Sequence, residues 1–141
     1  MFQTLKQEKG FTLIELLVVL VILAAITGLV APQFLGRGEQ AKVDLVKSDL
    51  KVIEQQLDLY RLDNFVYPST DQGLEALLSK PSGSPDAPNW KGPYIKSLPK
   101  DPWGNPYLYL NLDSEVEIIS FGADGKEGGT GNNADFSSAS R

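Results

Sequence analysis

The 141-residue sequence contains no cysteine and no histidine. Without cysteine it has no disulfides and no thiolate metal sites, although that absence does not fix the compartment. Without histidine it lacks the commonest general base and many transition-metal sites. Basic residues are also few. Thirteen Lys and Arg stand against 18 Asp and Glu, a formal net charge of −5. No basic stripe is present, so nucleic acid is not an expected partner. Charge of either sign is nearly missing from residues 11–31, FTLIELLVVLVILAAITGLVA, where Glu15 is the one ionisable side chain.

That run is the longest feature of the chain. At ~1.5 Å per helical residue it reaches about 30 Å, the thickness of a bilayer core. Core helices of soluble domains are seldom apolar all round for so long, so the run reads as a membrane segment. An ordinary secretory signal has a shorter apolar region, ~7 to 15 residues, and a small-residue cleavage site. Here Pro32 follows directly on Leu29-Val30-Ala31. Lys6 and Lys9 before the run favour a cytoplasmic amino terminus, with the remainder outside. A carboxylate inside a span costs ~2.5–3.5 kcal/mol near the centre. Glu15 lies close to one end, and two readings stand. It snorkels to the interface, or it pairs with a cation from another molecule or from a newly made amino terminus.

Gly28 and Pro32 predict a kink or an unwound stretch, because proline removes a donor and strikes the preceding turn. Beyond it Val43, Val46, Leu50, Ile53, Leu57 and Tyr60 recur at three- and four-residue steps and share one helix face. Leu45, Val52 and Leu59 form a thinner second row, read as a widening of the core stripe; the alternative is a contact surface for neighbouring subunits. The helix should end near Asp63-Asn64.

A short helix is expected over residues 69–78, with Ser69 and Gln72 as a capping box or Thr70 as the cap. Trp90 and Tyr94 read as packing anchors. The turn formers of Asp101-Pro102-Trp103-Gly104-Asn105-Pro106-Tyr107 lead into two strand candidates, 107–112 and 115–121. These should pair as antiparallel neighbours and cover the amphipathic helix face. The fold class is α+β.

The tail, residues 122–135, GADGKEGGTGNNAD, is dense in glycine and oxygen ligands. On the residues alone it reads as a flexible polar loop or as a calcium loop, since calcium accepts mixed carboxylates, amides and carbonyls. It lacks the ligand alternation and terminal glutamate of an EF-hand. An enzyme is not expected. Ser69, Ser120 and the terminal serines lack a histidine base, and Asp124 and Asp135 have no apolar wall to raise a carboxyl pKa.

Gly10-Phe11-Thr12-Leu13-Ile14-Glu15, after a short basic leader, resembles the cleavage signature of type IV pilins and pseudopilins. Leu62-Asp63-Asn64-Phe65, Tyr67-Pro68-Ser69-Thr70, Gln72-Gly73-Leu74-Glu75-Ala76-Leu77 and the motif at 101–107 extend the likeness to the major pseudopilins of type II secretion systems. The resemblance implies a pilin-like fold with a leader at 1–10, a transmembrane and assembly helix at 11–32, an amphipathic helix at 33–64 and a periplasmic head at 65–141. It implies that a prepilin peptidase cuts between Gly10 and Phe11 and methylates Phe11, and that Glu15 pairs with the Phe11 amine of a neighbouring subunit. Losing Lys6, Lys9 and Glu8 would leave 11 basic and 17 acidic side chains.

The implied function is that of a structural subunit that polymerises into a helical periplasmic filament and supports export of folded proteins across the outer membrane. An adhesive or motility pilin is the alternative. Implied partners are further copies of the chain, an inner-membrane assembly platform and minor pseudopilins, with a single pass through the inner membrane. The resemblance also implies calcium, held by Asp124 and Asp135, by the carbonyls of Phe121 and Lys126, and by Thr130 and Asn133. After Asp135 the chain departs from the family, reading Phe136-Ser137-Ser138-Ala139-Ser140-Arg141 where relatives end in Asn-Trp.

Overall fold

A computed structural model describes residues 9–113 and 115–139, with the backbone alone at 30–35. Leader residues 1–8, the turn residue Ser114, and Ser140 and Arg141 lie outside the described residues. Helix α1 spans Leu13–Asn64. Two compact units divide the chain, one up to Gly38 and one from Glu39.

In the first unit every large apolar side chain from Phe11 to Leu29 is open to its surroundings, with exposures between 49% and 89%. No unwound stretch occurs at Gly28 and Pro32, because helical backbone continues through both. Pro32 removes one amide donor and crowds one carbonyl, that of residue 28, and a glycine there offers the least steric resistance. Among the described side chains, which stop at Leu29 and resume at Gly36, no helix is long and apolar enough to cross a membrane. Val30, Ala31 and Pro32, the end of the expected span, lie outside them.

In the second unit α1 presents Val46, Leu50, Ile53, Leu57 and Tyr60 to the core, all at most 5% exposed. They meet Leu74, Ala76, Leu77, Ala87, Tyr107, Tyr109 and Ile118 in one cluster. Full burial of each large aliphatic side chain contributes ~1.5–3 kcal/mol. The helix ends where expected. Phe65 takes a left-handed φ of 65°, and its N–H closes onto the Arg61 carbonyl at 2.7 Å, a C-terminal cap usually given to glycine.

Strands β1 (Leu108–Asn111) and β2 (Val116–Ser120) pair antiparallel, with Tyr109 opposite Ile118 on the core side. A two-residue strand, β3 (Phe136–Ser137), continues the sheet with Ser120 opposite Phe136. This third strand was not expected from the sequence. Tyrosine hydroxyls then tie sheet to helix and loop. Tyr107 donates to Asp49 at 2.8 Å, and Tyr109 to the Pro68 carbonyl at 2.8 Å. Desolvation, then the Asp49 carboxylate, pushes the Tyr107 phenol above its ordinary range, and desolvation does the same at Tyr109.

Two expectations change. The segment 69–78 is no α-helix. Ser69 and Gln72 do make the reciprocal box, Ser69 N–H to Gln72 Oε1 at 2.9 Å and Gln72 N–H to Ser69 Oγ at 3.1 Å. However, Gly73 at φ 62° turns the chain out of helical geometry, and only a 3-10 turn, Leu74–Leu77, follows. The row Leu45, Val52 and Leu59 does not widen the core. These residues are 54%, 49% and 48% exposed. At 100° per residue they lie more than 90° around the helix from Leu50 and Leu57. Trp90 and Tyr94 are anchors as expected. Trp90 donates to the Ala76 carbonyl at 2.8 Å, and Tyr94 stands edge-on to both Trp90 and Tyr60.

Candidate functional site

Three parts of the molecule carry the candidate chemistry: the start of α1, the uncharged face of its second half, and the glycine-rich loop.

At the start of α1, Thr12 and Glu15 form a second reciprocal cap. The Thr12 N–H donates to Glu15 Oε2 at 3.4 Å, and the Glu15 N–H to Thr12 Oγ1 at 3.3 Å. The carboxylate therefore complements the first turn, where free amides and the helix dipole favour negative charge. Both bonds are long, which leaves the carboxylate available to a stronger partner. The Thr-x-x-Glu spacing carries the signal for this cap, which reading Glu15 only as a charge in an apolar run leaves out. Phe11 is 84% exposed. A Cβ added at Gly10 would meet nothing within 4 Å, and its backbone is not left-handed. The chain's own fold does not demand glycine there.

From residue 41 to residue 59, one sector of α1 carries Ala41, Leu45, Ser48, Val52, Gln55 and Leu59 and no charge, and Leu62 flanks it at the azimuth of Asp44. Leu62 is 72% exposed. Lys47, Lys51, Glu54, Asp58 and Arg61 occupy a separate sector. The helix thus has three faces: core, charged and apolar-exposed. The third is left uncovered among the described residues.

The loop after β2 closes on itself. The Ala123 N–H donates to the Asn132 carbonyl at 2.8 Å. A Cβ at Gly122, whose φ is 73°, would fall 2.6 Å from the Ala134 carbonyl and 2.7 Å from that of Asn132, so only glycine permits this approach. Asp124 Oδ1 accepts from the Lys126 N–H at 3.1 Å, and Asp135 Oδ2 from the Gly128 N–H at 2.9 Å. Each carboxylate thereby folds back onto the loop and keeps one oxygen without a hydrogen bond among the described residues. Phe121 is half-buried directly after β2, while Lys126, Thr130 and Asn133 are exposed. Thr130 is extended before a 3-10 turn, Gly131–Asn133.

Among the described residues no group of three or more acidic side chains could hold a metal. The donor set is two carboxylates plus carbonyls, amide and hydroxyl oxygens on a backbone that doubles back. That set suits calcium, which tolerates irregular oxygen shells, better than magnesium or a transition metal.

Residues that the sequence marks only as turn formers, without a tie to this loop, hold it. Asp101 is 4% exposed. Its Oδ1 accepts from the N–H groups of Trp103 (3.1 Å) and Asn105 (2.8 Å), and its Oδ2 from Ser120 Oγ at 2.8 Å. The signal was an aspartate opening a run of turn formers, since Asp commonly bonds its own backbone two residues on.

The comparisons with known proteins bear on all three parts. A family model described as type II secretion system (T2SS), protein G matches residues 33–139, and a prokaryotic N-terminal methylation motif matches 5–31. The type II secretion system core protein G of Pseudomonas aeruginosa is 55% identical over 134 residues, covering 93% of this chain and 94% of that one. Its namesake from Vibrio cholerae is 47% identical over 135 residues, covering 94% and 92%. A crystal structure of the major pseudopilin from the type 2 secretion system of enterohaemorrhagic Escherichia coli superposes with a TM-score of 0.64 at 42% identity, covering 73% of this chain and 87% of that one.

Proposed function

The chain belongs to the type II secretion system protein G family, and from that premise we propose how its parts divide the work of a pseudopilus subunit. It is a structural subunit of the type II secretion pseudopilus, and the adhesive or motility pilin is the less favoured alternative. Its methylation motif places it among chains processed by a prepilin peptidase and then assembled.

In this reading the peptidase cuts between Gly10 and Phe11 and methylates the new amine. The apolar first half of α1 holds the subunit in the inner membrane with the head in the periplasm. Glu15, capped by the Thr12 amide in the single chain, exchanges that weak bond for the Phe11 amine of a neighbouring subunit. The charge-free sector of Leu45, Val52 and Leu59 meets a second copy, because an exposed apolar face on a polymerising subunit is expected to be covered. An inner-membrane platform and minor pseudopilins are the proposed assembly partners. A non-closing head-to-tail contact repeats as a helix. A catalytic role has no support, since the chain lacks histidine and cysteine. Calcium, held by Asp124 and Asp135 with the carbonyls of Phe121 and Lys126, and with Thr130 and Asn133 nearby, would cancel the repulsion of the two carboxylates and fix the loop.

The observation that most supports processing is the open backbone at Gly10 directly before Phe11 and the apolar run. Gly10→Val has room in the chain itself. Its loss of processing would therefore report the peptidase's pocket and not a damaged fold. Intact-mass measurement should show the leader retained on that variant and removed from the parent. A variant processed like the parent would overturn the assignment.

A further inference from the structure

Both ends of the glycine-rich loop, and its first turn, touch one short segment, residues 101–106. At the start of the loop, Asp101 Oδ2 holds Ser120 Oγ at 2.8 Å, and the Gly122 N–H donates to the same hydroxyl at 3.3 Å. In the first turn, the Asn105 side-chain amide lies against Gly125, so close that a Cβ there would sit 3.2 Å from Asn105 Nδ2. At the end of the loop, Phe136 stacks on Trp103, with ring centroids 6.0 Å apart and planes 16° from parallel. Among the described residues the buried Trp103 indole N–H has no hydrogen-bond partner, so the stack on Phe136 is the contact that orients its ring there. The segment is itself rigid. Asp101 Oδ1 takes two of its amides, and the Asp101 N–H donates to the Asn105 carbonyl at 2.8 Å.

We propose that residues 101–106 form a three-point clamp on the loop, and that Asn105, Trp103 and Phe136 are positioning residues that hold Asp124 and Asp135 in place for a cation without touching it. A free glycine-rich loop carries high conformational entropy, and fixed contacts at its ends and first turn remove most of it before a ligand arrives. The clamp should thus set the calcium affinity through pre-organisation, and it should close the loop in chelator as well. The affinity part rests on the calcium reading above; the closure part does not.

The test uses the full chain in detergent micelles, with amide hydrogen exchange read in chelator and in calcium chloride. In Asn105→Ala and Phe136→Leu, the Ala123 and Gly128 amides should exchange about tenfold faster in chelator, the scale of losing one good ring or amide contact. Amides of α1 around Leu50 and Leu57 should keep parent rates. Half-saturation with calcium, measured calorimetrically, should rise by a similar factor. Phe136→Tyr, which keeps the ring, should restore both readouts. If Asn105→Ala leaves the helix amides at parent rates and also leaves Ala123 and Gly128 at parent rates, and Phe136→Leu does likewise, the clamp is refuted. If Asn105→Ala disturbs the helix amides, Phe136→Leu alone decides. A parent that binds no calcium refutes the calcium reading, and the chelator rates still judge the clamp.

Discussion

Glu15 answers two demands with one carboxylate. It must be tolerable in an apolar helix, and on the proposed assembly reading it must remain free to recruit a neighbour. The Thr12 cap meets the first at bond lengths of 3.3 and 3.4 Å, too long to compete with a full amine charge. Glu15→Val should therefore raise the apolarity of the run and insert well, since a charge costing ~2.5–3.5 kcal/mol near a bilayer centre is gone. Assembly should nevertheless fail. Membrane fractionation with chemical cross-linking separates the two effects: monomer in the membrane and loss of higher-order ladders is the expected result. Parent-like ladders would reduce Glu15 to a helix cap. Asp101 shows the same economy in the head, where one buried carboxylate satisfies two amides and a hydroxyl. Its role was hard to read in sequence, because burial of an aspartate depends on a partner, Ser120, nineteen residues away.

Among elements, α1 sorts its second half into three faces by side-chain chemistry alone. The core face was legible from period, because Val46, Leu50, Ile53, Leu57 and Tyr60 recur as a helix requires. The row Leu45, Val52 and Leu59 was misread, since apolarity marks any buried face and does not say whether the chain or another copy buries it. A triple Leu45→Ser, Val52→Ser, Leu59→Ser variant separates these. As exposed positions they should shift head stability little, within ~0.5 kcal/mol per site, while polymer formation falls. Urea unfolding and cross-linking on the same sample check both. A large loss of stability would return the row to the core. The two long strands were legible from alternation and turn chemistry. Strand β3 was not, because Phe136 and Ser137 are too short to show a pattern and pair only across the loop. The capping box at Ser69 forms as the spacing predicts, but Gly73, directly after Gln72, decides the conformation.

At the scale of the whole molecule, an exposed apolar half-helix and a compact head belong together only if lipid, and after assembly other copies, cover the first. The head needs its own stability in the meantime, and the loop is the part with most to gain. If calcium binds the folded chain alone, it should stabilise by ~2.7 kcal/mol at 100 times its dissociation constant. Melting in calcium should therefore lie clearly above melting in chelator, with Asp124→Ala removing the difference and magnesium substituting poorly. Coincident curves for a metal-free parent would return residues 122–135 to a flexible loop.

The most direct measurement is the composition of filaments. The chain, expressed with its secretion machinery, is sheared or released from the periplasm, sedimented, imaged by electron microscopy and sequenced from its amino terminus. Filaments should form whose principal protein is this chain, beginning at methylated Phe11, and they should be absent with Glu15→Val. Filaments built from chains that still carry residues 1–10, or a processed chain that never sediments as polymer, would contradict a pseudopilus subunit made in this way.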